Sequence, residues 1–427
     1  MFPIAIATKG KGFIGALKRV GSISRRYGAT PEKMDRMMIR FRDILQEFNG
    51  RATFPVVATA LMRGNGFLDK HKTECIEFTA HGYLHIDHTR LSLEEQGAHF
   101  TLARHLFEQR GARCEGIRCP YLRWNEDTIE AIRQYGFLYE SSQGLAWDVV
   151  DHHNTEAYRR VLEFYGTIPA EHYPSLPRWD NGLVRIPYCL PDDEAFVERL
   201  QLNSTKVMTE IWLAILDETY RLGELFTLGL HPERIFLCEV PLIETLRKAK
   251  EYSSGIWVAR LDEIARWWKT HLERTFETSK VGEDEYEFSF DGPAETTILT
   301  RGVEVRTPVE DWDGTYQRAK GRQIRFRANR RPFIGISPSS ASWLSDFLSQ
   351  QGYIVESADD DQSHSFFLNR PEFRYEDERP LLAEIEQQDF PLVRFGRWPS
   401  GARSALSVTG DIDALTIWDY TLRLFGK

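Results

Sequence analysis

The sequence predicts an α/β fold built on a parallel sheet, and three observations lead there. Strand-like and helix-like segments alternate from about residue 52 to residue 272, the pattern of a parallel α/β sheet or barrel. Residues 52–61 (ATFPVVATAL) are apolar almost without a break, as in a strand buried on both faces. The 427 residues, 42% hydrophobic and 12% aromatic with 11 Trp, supply a sizeable core and exceed one ordinary domain, so a large domain with a smaller companion is expected.

The elements follow in chain order. Residues 30–48 read as a helix, with Thr30 as N-cap, Pro31 at the first position, and Met34, Met37, Met38, Phe41 and Leu45 on one face. Asn49-Gly50 stops it, and the strand at 52–61 follows. Residues 91–110 form a second helix, opened by Ser92 with Glu95 three residues on. Next come a short strand at 116–119, a helix at 127–135 and a strand at 137–140. Strands at 184–188, 225–230 and 256–259 then alternate with helices at 205–222, 243–252 and 261–272. Near residue 275 the character changes. Residues 285–306 alternate in short strand-like pieces separated by Gly and Pro, residues 332–356 make one strand–helix–strand unit, and 359–365 is a polar loop. The chain closes with a strand at 405–408 and a helix at 417–425.

Charge and cysteines bound the function. The net charge is −9, with no dominant basic face for nucleic acid. Residues 1–28 hold Lys9, Lys11, Lys18, Arg19, Arg25 and Arg26 and no acid, a local +6 within the net −9, so the remainder carries −15. That stretch reads as a solvated or substrate-facing surface, or as a contact with an anionic membrane. Five cysteines without a CxxC pair argue for a reducing compartment. The first residues lack the pattern of a signal peptide, and no run is long enough to cross a bilayer, so a cytoplasmic protein is expected. Gly10-Lys11-Gly12-Phe13-Ile14-Gly15 matches GxGxxG. Its surroundings lack the second strand and acidic residue of a dinucleotide site, and an entry loop is the better reading.

The chemistry concentrates in a few motifs. His81 and His85 in HGYLH are four residues apart, as if projecting from one side of a helical turn toward one ion. Such a pair alone is often no more than surface or capping histidines. A metal on two imidazoles still wants a carboxylate, and nothing before His81 provides it. The acids stand at the other end, in Ser407-Val408-Thr409-Gly410-Asp411-Ile412-Asp413, where they are metal chemistry or a strand end capping the next helix. His88 is a spare ligand or a loop histidine. Cys114 and Cys119 read as buried fillers.

Taken together, HGYLH (81–85), IRCPYLRWN (117–125), GFLYESS (136–142), VRIPYCLPDD (184–193), LGLHPER (228–234) and IWVARLDEIARWW (256–268) resemble the NodB-like polysaccharide deacetylases of carbohydrate esterase family 4. The resemblance spans roughly 30–270 and 400–427. It implies an irregular (β/α) barrel from 1–275 completed by 400–427, with 276–399 as a smaller β-rich and α/β accessory module. It also implies a divalent metal, zinc foremost, at the C-terminal mouth of the strands. The family carries its acid pair on the first barrel strand; here that motif comes last, which implies a circular permutation.

Mapped by motif, His81, His85 and Asp413 would hold the metal, and Asp411 would be the general base. Arg118 would orient that base, the Tyr121 backbone N–H would meet the oxyanion, and His231 would be the general acid. The family's two aspartates are adjacent, whereas Ile412 separates them here, so which acid does which task stays open. Arg118 also reads as an ordinary ion-pair partner. Trp124 and Trp147 are sugar-stacking walls or core aromatics. The implied function is removal of an acetyl or related acyl group from an amino sugar or glycan, nucleotide- or lipid-linked. The alternatives are a non-sugar amide as substrate, or an inactive relative that binds glycan.

Overall fold

The computed structural model describes residues 23, 26–63, 66–150 and 153–423. The glycine motif at 10–15 and five of the six cations of 1–28 lie outside them, as does the membrane contact expected there. The sixth, Arg26, is paired with the buried Glu233. No helix among the described residues is long and apolar enough to cross a membrane.

The main sheet holds nine strands: β1 (Ala52–Val56), β2 (Ile76–Ala80), β3 (Gly116–Ile117), β4 (Tyr139–Glu140), β5 (Arg178–Asp180), β6 (Leu183–Arg185), β7 (Leu225–Gly229), β8 (Ile256–Val258) and β9 (Ser404–Thr409). Their spatial order is β7-β9-β1-β2-β3-β4-β6-β5, with β8 also paired to β9. All pairings are parallel except β5 with β6. The last strand of the chain therefore lies between the first strand and β7. A side sheet of Gly144–Ala146, Ile168–Pro169 and Tyr188–Leu190 packs against β7. Tyr188 lies so close that a Cβ on Gly229 would stand 1.9 Å from its hydroxyl oxygen, so packing completes the (β/α)-type barrel where strand hydrogen bonds stop.

Helix α1 (Glu32–Glu47) buries Met34, Met37, Met38, Phe41, Ile44 and Leu45, the face its periodicity marks, although Pro31 and not Thr30 occupies the N-cap. The expected Ser92–Glu95 capping box opens α2 (Leu93–Gln109). The apolar run at 52–61 splits: β1 ends at Val56, and Ala58–Arg63 is a short helix. A buried strand and a buried helix look alike in an apolar run, so the pattern could not show that boundary. Further along come α3 (Glu126–Gln134), α4 (Thr205–Leu222), α5 (Ile235–Ala249) and α6 (Leu261–His271), with α7 (Ile417–Arg423) after β9.

Between α6 and β9 lie two four-stranded antiparallel sheets and a three-stranded parallel one. The strand–helix–strand unit predicted at 332–356 is present as Arg331–Ile336, Ser342–Gln350 and Val355–Ser357. One apolar cluster joins both regions, with Leu261, Ile264 and Trp268 of α6 packed among Ile334, Leu344 and Leu382.

Candidate active site

Every candidate catalytic or ligand residue follows the C-terminal end of a parallel strand: His81 after β2, Arg118 after β3, His231 after β7, and Asp411 and Asp413 after β9. Strand ends of an α/β sheet are where side chains from sequence-distant segments converge.

The acids are positioned by backbone. Beyond β9 the chain stays extended along β1, with the Gly410 N–H donating to the Thr53 carbonyl (3.1 Å) and the Ile412 N–H to that of Pro55 (2.7 Å). Ile412 also bridges to Val56. Alternate residues of an extended chain face opposite ways. Ile412 is accordingly buried in the core, and Asp411 and Asp413 both reach the imidazole of His81. The intervening residue thus keeps the two carboxylates together. A Cβ on Gly410 would fall 2.0 Å from the Leu230 carbonyl oxygen, so glycine is what lets this strand end approach the loop that carries His231.

The histidines do not sit on a helical turn, contrary to their spacing. Residues 81–87 are a series of bends, with Gly82 at φ 78°, held by the Ala58 and Thr59 N–H groups donating to the Gly82 and Tyr83 carbonyls (3.0 and 3.2 Å). The two rings nevertheless converge, with centroids 5.1 Å apart. His81 Nδ1 lies 2.9 Å from the Arg118 carbonyl oxygen. A carbonyl only accepts, so Nδ1 carries the proton and Nε2 presents a lone pair.

That Nε2 is 3.5 Å from Asp413 Oδ1 and 3.8 Å from Asp411 Oδ2, and His85 Nε2 is 3.2 Å from Asp413 Oδ1. Ligand atoms around a tetrahedral zinc, each at about 2.0–2.1 Å from it, stand about 3.4 Å from one another. The donors of His81, His85 and Asp413, all within 4.8 Å of one another, fit such an ion. Protonation states fit as well. Burial, helped by Arg423, pushes His85 down to about 4, leaving it neutral. Burial alone would raise Asp413, but Arg423 and His85 outweigh it and hold the carboxyl well below its usual range.

Asp411 is 8% exposed and accepts a hydrogen bond from Arg118 Nη1 at 2.8 Å. Arg118 is fully buried and fully engaged: Nε donates to the Ser141 carbonyl (2.9 Å), Nη2 to Ser141 Oγ (3.0 Å), and Nη1 also to Thr409 Oγ1 (3.1 Å). Its guanidinium lies 4.5 Å from the ring centre of Tyr188, whose hydroxyl donates to Asp192 (2.8 Å). Tyr188 thereby links this pair to a second cluster, Asp192, Asp193 and His231. There His231 Nδ1–H donates to Asp193 Oδ1 at 2.7 Å. Burial opposes a charged imidazole, yet the charge and hydrogen bond of Asp193 hold His231 well above its ordinary value. Burial and the neighbouring Asp193 lift Asp192 to about 6. With these acids already engaged by His231, Tyr188 and the Ala195 N–H, the cluster suits proton storage.

Tyr121 lies in the left-handed region at φ 61°. Its N–H donates to no atom among the described residues, whereas the next two amides bond to Cys119 and Pro120 (3.0 and 3.3 Å). Its ring packs edge-on against His85 with centroids 4.6 Å apart. Trp124 is half-buried beneath the Arg185 guanidinium, 4.2 Å from the ring centre. Trp147 is 6% exposed within the barrel core, with Arg379 5.5 Å from its ring centre. Of its two expected readings, that burial favours the core aromatic over the sugar-stacking wall. His88 is buried against Phe100 and His99 and stands outside the ligand cluster.

Three residues of the site had no role assigned from sequence. Asp192 and Asp193 end the recognised VRIPYCLPDD segment, but their link to His231 is tertiary. Arg423, which pairs with Asp413 Oδ2, sits on α7 with no motif to announce it.

Comparison with known proteins adds the following. Residues 32–139 match the model of the polysaccharide deacetylase family. Among curated proteins no significant match is found. The fold is similar to a probable polysaccharide deacetylase from Pseudomonas aeruginosa PAO1 (22% identity, TM-score 0.44, covering 56% of this chain and 74% of that one). It is also similar to PuuE allantoinase (22%, 0.43, 56% and 75%) and to the peptidoglycan deacetylase PdaC from Bacillus subtilis (17%, 0.31, 54% and 83%).

Proposed function

We propose that this chain is a metal-dependent amide hydrolase that removes an acetyl or other acyl group from an N-acylated amino sugar, a reading supported by the match of residues 32–139 to the polysaccharide deacetylase family model. One observation carries the reading: the donors of His81, His85 and Asp413 converge beside an aspartate, Asp411, fixed by a buried arginine. His81, His85 and Asp413 would hold the cation, and imidazole with carboxylate suits zinc. When bound, such an ion polarises the amide carbonyl and makes water acidic.

The chain's own residues do the rest. Asp411, oriented by Arg118, takes a proton from the attacking water. The Tyr121 N–H donates to the oxygen that gains charge as the carbonyl becomes tetrahedral. His231, kept protonated by Asp193, gives its proton to the departing amine nitrogen, and the acyl group leaves as a carboxylic acid. In the same reading 1–275 and 400–427 form one circularly permuted barrel with 276–399 as accessory module. The five free cysteines support a reducing, cytoplasmic setting and hence a nucleotide- or lipid-linked amino sugar as substrate.

The test combines metal analysis with acetate release from a panel of N-acetylated mono- and oligosaccharides. Wild type should hold about one zinc per chain and release acetate. Asp411→Asn should keep the metal and lose about 10²–10⁴-fold in turnover, and His81→Ala should lose the metal. Full turnover by Asp411→Asn, or no acyl release by the metal-loaded wild type from any amide in the panel, would overturn the reading.

A further inference from the structure

A cleft of about 860 Å³ lies remote from this chemistry. It is lined by the residues that lead into β8 and β9 (253–257 and 399–402), by α6, and by the β-rich region at 293–295 and 310–318. The acids and His231 follow the opposite ends of these parallel strands. The six residues of β9, about 20 Å at roughly 3.3 Å per residue, separate the two places.

Its walls combine flat indoles with polar groups. Trp257 and Trp312 are half-buried there, with Trp267 behind. The indole N–H groups of two of them are fastened to the framework: Trp312 Nε1 donates to the Gly401 carbonyl and Trp267 Nε1 to that of Arg397, both at 2.7 Å. Arg403 backs Trp312, 5.5 Å from its ring centre. These rings are therefore held rigid, and most of their binding cost in side-chain ordering is already met. The cations of the cleft are neutralised from within, Arg318 by Glu310 and Arg266 by Glu115 and Asp262. Glu295 and Asp311 remain as acceptors on its rim, and Asp311 takes one backbone N–H. An anionic ligand would meet these carboxylates and find no uncommitted cation. A large apolar ligand would strand the carboxylates and the Ser254 region unhydrated.

From this we infer a second, non-catalytic site: the cleft binds a neutral oligosaccharide, whose flat pyranose faces lie on the indoles and whose hydroxyls donate to Glu295 and Asp311. Placed between barrel and β-rich region, it would hold a glycan chain independently of the chemistry at the other end of the strands.

Calorimetric titration of full-length protein carrying Asp411→Asn, which prevents turnover, tests this with cellopentaose, xylopentaose and N-acetylchitopentaose as probes. At least one should bind, and Trp312→Ala should weaken it about tenfold or more. Because Trp312 also anchors Gly401, a second variant is needed: Thr270→Arg, on the exposed face of α6 at the cleft wall, should block binding while leaving thermal stability and acetate release in the otherwise wild-type chain unchanged. His81→Ala should leave binding intact. The inference is overturned if no probe binds at millimolar concentration, if binding survives both cleft variants, or if His81→Ala abolishes it.

Discussion

At the scale of single residues, the site is a set of charges whose states are fixed by burial and one partner each. Arg118 shows how tightly. All of its bonds are made to groups that are themselves buried, so it serves Asp411 and the fold at once. Asp193 is the clearest case with a measurable consequence. Burial would strip the proton from His231, and Asp193 reverses that through charge and a 2.7 Å hydrogen bond. A general acid works only while protonated, so activity is lost as pH rises through the folded value of His231. Asp193→Asn keeps the shape and removes the charge. It should lower that value, moving the alkaline limb of the pH–rate profile for kcat down by about one to three pH units. An unmoved alkaline limb would mean that His231 is not the group that sets it.

At the scale of elements, the question is what joins the barrel to the β-rich region. One joint is the end of α6, where His271 lies buried with Nδ1 and Nε2 each 3.2 Å from a carbonyl, those of Trp267 and Gln350. Burial, with Arg274 adding, pushes His271 from 6.5 down to about 3. The folded ring stays neutral where the unfolded one takes a proton, so between about pH 6.5 and pH 3 the unfolded state binds more protons. Stability therefore rises with pH in that window and is lost as pH falls, by about 1.4 kcal/mol per pH unit for this one group. His271→Gln should flatten that part of the slope in denaturant titrations at pH 7.5, 6 and 5, and parallel wild-type and variant curves would sink the assignment. The contact of His271 with Gln350 was not legible in the sequence, because the two lie 79 residues apart. What was legible was local. Periodicity found the buried face of α1, the Ser92–Glu95 box found the start of α2, and the motifs contained His81, His85 and Asp413, whose donor atoms the fold brings within 4.8 Å of one another. The same local reading put His81 and His85 on a helical turn when a bent loop brings them together, and ran the first strand past Val56. Each miss occurred where tertiary packing, and not neighbouring sequence, decides the outcome.

At the scale of the whole molecule, the unusual fact is that the position between β7 and β1 is filled by the strand that comes last in the chain. All six residues of β9 are buried, and β9 pairs with β7, β8 and β1 together, so β7 and β8 join the sheet only through this strand. Sheet pairing depends on where strands lie and not on the order in which the chain visits them, and chains are commonly reopened where such termini meet. The closing helix lies close to the start of the described chain: the Ile417 N–H donates to the Gly28 carbonyl at 2.9 Å, and the Tyr27 and Tyr420 rings are 5.4 Å apart. Joining Lys427 to Met1 through a flexible Gly/Ser linker and opening the chain between Arg403 and Ser404 would make β9 the first strand. That reordered protein should melt cooperatively, hold zinc in the same ratio as the parent and release acetate within about tenfold of its rate, since every ligand keeps its strand neighbours. Simply ending the chain at Arg403 should instead leave β7 and β1 with unpaired, apolar edges and yield aggregated protein. If the reordered chain also aggregates, then chain order contributes to assembly in a way that strand geometry alone does not capture, and the permuted-barrel reading fails.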